Sequence, residues 1–195
     1  MAGQRMAKDD RRKQLLDAAA AIVRSKGTDA LTLATVAERA GVTKPIAYEH
    51  FGTRAGLLME LYRYFDEPQA QAVKTALDSK AKSLDDVITI LSTAYVDCVL
   101  NAGPEFGALT AALSATQEME QFRITLRDGY AEQYRKALSP YVTLPRQSGQ
   151  ILLVGILGAA DALSHAAACG ALTRTKAIAA LVRIVSGALA HSATE

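Results

Sequence analysis

Residues 31–58 run LTLATVAERAGVTKPIAYEHFGTRAGLL and carry the signals for two short helices and the start of a third. Thr32 is a good N-cap, and Leu33, Val36, Ala37 and Ala40 follow at the i, i+3, i+4, i+7 spacing of one helical face. Gly41 ends that short helix, and within three residues Thr43 offers a second N-cap, with Lys44 and Pro45 in a first turn where proline's missing N–H costs nothing. The second short helix buries Ala47 and Phe51 and stops at Gly52. Thr53 then caps a longer helix through Leu57, Leu58, Leu61, Tyr62 and Phe65.

Two short helices joined by a three-residue turn containing glycine fit either a helix-turn-helix or an ordinary helical hairpin. The exposed set favours the former. Lys44, Thr43, Tyr48 and His50 gather at or near the second helix, whose N-terminal N–H groups and dipole attract phosphate, and that end is where a recognition helix meets base edges. For Tyr48 a half-buried ring pinning the helix is the competing reading, and for Glu49 a solvated face.

Upstream, Leu15, Leu16, Ala19, Ile22 and Val23 form one stripe of a helix that Gly27 closes. Downstream, Pro68 predicts a break and a fresh helix start. Ser83 with Asp86 opens a helix running through Val99, and further helices are expected over about 105–115, 117–138, 149–169 and from Thr173 onward, with 139–148 as a loop. The chain is therefore expected to be all-α with about nine helices, in keeping with its 37 Ala and 23 Leu. The 149–169 helix is apolar on nearly every side and rich in Gly and Ala, so it is expected to be buried all round. It is either the central helix of one domain or, with the last helix, an isologous two-fold interface.

At 195 residues the chain can bury a core without disulfides. The net charge of +2 divides into +4 over residues 1–65 and −2 over the rest, which hints at an anionic partner for the first third. Cys98 and Cys169 stand far apart, as expected of two small buried residues in a reducing cytosol. The longest apolar run, residues 151–160, is too short to span a bilayer, so no membrane association is expected. No G-x-S-x-G, phosphate loop, H-E-x-x-H or dinucleotide fingerprint occurs, and His50, His165 and His191 lack ligand spacing; neither enzyme, metal nor cofactor is expected.

The run from Leu31 to Leu58 closely resembles the DNA-binding signature of the TetR family of bacterial repressors, in its Val-Ala, Ala-Gly-Val-Thr and Tyr-Glu-His-Phe elements. The resemblance implies a helix-turn-helix domain over residues 1–53 and a ligand-binding and dimerisation domain over 54–195. It implies phosphate contacts from Thr32, Thr43, Tyr48 and Arg54, Lys44 near backbone or bases, and Pro45, Ile46 and His50 in the groove. Pro45 stands where the family often has glycine, Ile46 where it is commonly polar, Arg54 where lysine is usual, and Ala55-Gly56 replaces an acidic pair. The function implied is that of a cytoplasmic homodimeric repressor on near-palindromic double-stranded DNA, dimerised through its last two helices and released by a small, largely hydrophobic effector.

Polar residues expected in an effector cavity are Tyr95, Asp97, Thr110, Thr116, Arg123, Tyr130, Asp161 and His165. Asp161 and His165, four apart on one face, are a mutual hydrogen bond, a contact across a dimer, or a ligand-orienting pair. A helical dimeric small-molecule-binding protein without DNA-regulatory role is the alternative.

Overall fold

The computed structural model describes residues 7–101, 104–113 and 116–192. Among them are nine α-helices, one 3-10 turn and no strand: α1 (Lys8–Lys26), η1 (Thr28–Ala30), α2 (Leu33–Ala40), α3 (Lys44–Phe51), α4 (Arg54–Lys80), α5 (Leu84–Asn101), α6 (Pro104–Ala112), α7 (Gln117–Leu138), α8 (Arg146–Ala168) and α9 (Arg174–Ser192). The chain divides into two compact units, Met1–Phe65 with Pro104–Glu120, and Asp66–Gly103 with Gln121–Glu195.

In the first unit the predicted stripe of α1 is buried from Leu15 to Val23, and Leu33, Val36, Ala37, Ala47, Phe51, Leu57, Leu58 and Leu61 close on it. Polar ties fix α1 around this core. Gln14 Nε2 donates to the Ala40 carbonyl at 3.0 Å, the Arg12 guanidinium pairs with Glu60, and the Tyr64 hydroxyl donates to Asp17 at 2.5 Å. The helix α6 packs on α1 and η1. The second unit has its own core, built by α5, α8 and α9 around Ile88, Leu91, Leu153, Ile156, Leu157, Leu181 and Val185, with α7 adding Ala131, Tyr134 and Leu138.

Three expectations need correction. Pro68 starts no new helix: α4 runs unbroken from Arg54 to Lys80 with Pro68 inside it, leaving the Tyr64 carbonyl without its helical donor. The loop after α7 is shorter than expected, because Pro145 is the N-cap of α8 and the helix begins at Arg146. Nor is α8 buried all round: Leu153, Ile156, Leu157 and Ala160 face the core, whereas Ile151 is 68% exposed and Gly155, Gly158 and Ala162 lie open along the same side.

Candidate nucleic-acid interface

The helix-turn-helix is built by local chemistry. The Thr32 hydroxyl accepts from the Thr35 N–H at 3.1 Å, while the Thr35 hydroxyl accepts from the Thr32 N–H at 3.0 Å, a reciprocal cap that fixes where α2 begins. At its other end Gly41 adopts the left-handed conformation, φ 67° and ψ 32°, and the Gly41 and Val42 N–H groups reach back to the carbonyls of Glu38 and Ala37. Those two bonds turn the chain within three residues, as glycine alone does without strain.

The turn presents α3 outward. Ala47 and Phe51 are buried, while Thr43, Lys44, Pro45, Tyr48 and Glu49 are exposed, Tyr48 by 53%. Thr43 is the N-cap yet its hydroxyl makes no capping bond; Pro45 carries no N–H and the Ile46 N–H turns back to the Thr43 carbonyl at 3.1 Å, so the first turn of α3 offers the Lys44 N–H beside a free hydroxyl and an ammonium. Thr43 and Lys44 border a shallow cleft with Ala34, Thr35, Glu38 and Val42. Tyr48 is thus a projecting ring rather than a pin in the core.

Ile46 and His50 are half-buried. Burial pushes the His50 imidazole below its ordinary pKa, with Lys8, Arg12 and Arg11 adding to the effect and Glu49 opposing it. A neutral ring at neutral pH can accept or donate one hydrogen bond at a base edge. Thr32, half-buried, is committed to capping. Arg54 is exposed, but its Nε donates to the Leu31 carbonyl at 2.9 Å and its Nη2 to the Thr28 carbonyl at 2.7 Å.

The residues named for an effector cavity do not form one cluster. In the second unit the Tyr95 hydroxyl donates to Asp161 at 2.6 Å, and Asp97 takes a two-bond fork from Arg174 at 2.5 and 2.7 Å. Asp161 therefore pairs with Tyr95, not His165, which contacts the Cys169 sulfur at 3.5 Å; both Asp161 and His165 are exposed. Thr116 caps α7 through the Met119 N–H at 3.3 Å, Thr110 belongs to the first unit, and Arg123 is half-buried on α7.

Asp66 escaped the sequence reading, hidden in an Asp-Glu-Pro run that looks like a turn. It accepts a hydrogen bond from Tyr130, and burial pushes its carboxyl above the usual range. The cysteines also differ from expectation. Cys98 is half-buried, its thiol pushed up to about 11, chiefly by desolvation, whereas Cys169 is exposed because α8 ends there.

The family model for bacterial regulatory proteins of the tetR family matches residues 15–61. The chain is 37% identical over 84 residues to the HTH-type transcriptional activator FasR of Mycolicibacterium smegmatis, covering 41% of this chain and 38% of that protein. It is 39% identical over 69 residues to the HTH-type transcriptional regulator BetI of Serratia proteamaculans, 35% of each. The match thus spans little more than a third of these curated relatives.

Among solved structures, a TetR-family transcriptional regulator from Rhodococcus sp. superposes with a TM-score of 0.74 at 20% identity, over 92% of this chain and 99% of that one. The fatty acid degradation regulator FadR of Bacillus halodurans superposes with a TM-score of 0.73 at 15% identity, over 95% and 97%. At these identities the likeness is one of fold. The capped helix-turn-helix with its outward α3 thus lies within the stretch that matches the tetR family of bacterial regulatory proteins, and the described helices share the fold of solved TetR-family regulators.

Proposed function

We propose that this protein is a cytoplasmic DNA-binding transcriptional repressor, with residues 1–53 as the DNA-reading head and 54–195 as the effector-binding and dimerisation part. One observation carries the reading: the first turn of α3 stands clear of its own core with Thr43, Lys44, Pro45 and Tyr48 exposed. In a homodimer two such helices enter successive major grooves of a near-palindromic operator, about 34 to 36 Å apart. Lys44 and Tyr48 serve the phosphates, and Pro45, Ile46 and His50 face base edges, where Ile46 can touch a thymine methyl.

The homodimer is proposed to form through α8 and α9. Ile151 at 68% and Ile184 at 43% exposure stand on these two helices, with Gly155 and Gly158 allowing close backbone approach. Release from DNA is assigned to a small, largely hydrophobic effector in the second unit that stabilises one of two states.

A gel shift with the DNA beside the protein's own gene tests the reading. Retardation that survives excess unrelated duplex at moderate salt, and weakens on adding cell-extracted hydrophobic metabolites, is the expected result. Binding without preference over competitor DNA contradicts it.

A further inference from the structure

We infer that Arg54 is a positioning residue, a bracket by which the first turn of α4 holds the helix-turn-helix in its DNA-reading pose, rather than a contact to phosphate. The inference rests on the DNA-binding reading above and concerns how the site is held.

Two neighbouring contacts carry it. The Nε and Nη2 atoms of Arg54 present one edge of the guanidinium to the carbonyls of Leu31 and Thr28, at 2.9 and 2.7 Å. These carbonyls belong to the first residue of the η1 turn and to the residue just after it, immediately before the Thr32 cap, so Arg54 grips the entry to α2 from a distance of 23 residues in sequence. Two positions later, Gly56 sits so tightly on the end of α3 that an added Cβ would lie 2.2 Å from the Phe51 carbonyl oxygen. The first turn of α4 thus touches the η1 turn that leads into one short helix and the end of the other.

The chemistry requires arginine. Its planar fork satisfies two carbonyls at once, whereas a lysine ammonium is a point charge on a flexible stem. With one edge bound to carbonyls, the guanidinium is fixed in orientation before any DNA arrives.

The test compares Arg54→Lys, Arg54→Gln and the unaltered protein. Each is titrated by fluorescence anisotropy across a KCl series onto a duplex taken from beside the protein's own gene, and amide exchange is followed in the free protein. A bracket predicts that Arg54→Lys binds roughly tenfold more weakly, as for loss of one charge-assisted hydrogen bond, with the salt slope unchanged. It also predicts faster exchange at Leu31, Thr35 and Val36, which a phosphate contact would not produce. Near-normal affinity for Arg54→Lys, with a slope flattened by about one in Arg54→Gln, overturns the inference and restores the phosphate role. If the unaltered protein retains no duplex, the DNA-binding reading itself fails.

Discussion

The Tyr64 hydroxyl donates to Asp17 Oδ1 at 2.5 Å, joining α4 to α1 across 47 residues of sequence. This bond, ahead of the Lys13 ammonium at 3.0 Å, holds the Asp17 carboxyl below its ordinary range. A depressed carboxylate stabilises the fold above its unfolded pKa, near 3.9, and loses that contribution as pH falls through the folded value. Tyr64→Phe is therefore expected to cost at most about 1 kcal/mol at pH 7, since Asp17 faces solvent. Urea unfolding at pH 7 and pH 3 checks this: the deficit shrinks at pH 3, and a deficit independent of pH would show that the Tyr64 hydroxyl acts through something else.

Asp66 predicts the opposite sign. Its carboxyl is raised by burial, with Glu67 adding to the shift and the Tyr130 hydroxyl opposing it. Such a group favours the fold below its unfolded pKa and disfavours it as pH rises through the folded one. Asp66→Asn is expected to melt above the unaltered protein at pH 8 and to converge with it toward pH 4. A variant that is less stable at pH 8 would mean the carboxylate has a compensating partner.

Gly56→Ala places a methyl group against the Phe51 carbonyl and is expected to destabilise by about 1 to 3 kcal/mol, the usual cost of overpacking. Gly129, exposed on α7, where an added Cβ meets nothing within 4 Å, serves as its control. Thermal melts of Gly56→Ala and Gly129→Ala should separate by several degrees; coincident melts would deny the tight seat of α4 on α3.

Ile151→Glu combined with Ile184→Glu adds charge to the open faces of α8 and α9 without touching the buried stripe. Sedimentation velocity is expected to show folded monomers where the unaltered chain sediments as a dimer. A persistent dimer would move the interface elsewhere.

Much of the fold was legible because its signals are local: Thr32, Gly41, Thr43 and Gly52 each mark an end of α2 or α3 within a residue or two. The buried stripe of α1 followed from spacing alone. Pro68 was misleading because one lost helical bond is offset by the buried Leu57, Leu58 and Leu61 before it and the half-buried Val73 and Leu77 after it. The exposed side of α8 was invisible to composition, which registers apolarity but not what covers it. The partners of Arg54 and Asp66 were beyond a linear reading, since Leu31 and Tyr130, which they meet, lie 23 and 64 residues away.

Paired α3 helices reading a two-fold DNA site should select that site from a random duplex library. The account predicts enrichment of an inverted repeat with half-site centres about one helical turn apart. It further predicts that Lys44→Gln weakens all selected sequences alike, flattening the salt slope by about one, while Ile46→Ala changes the preferred base at one position in each half-site. Failure of any sequence to enrich, or enrichment that survives both substitutions unaltered, would contradict it.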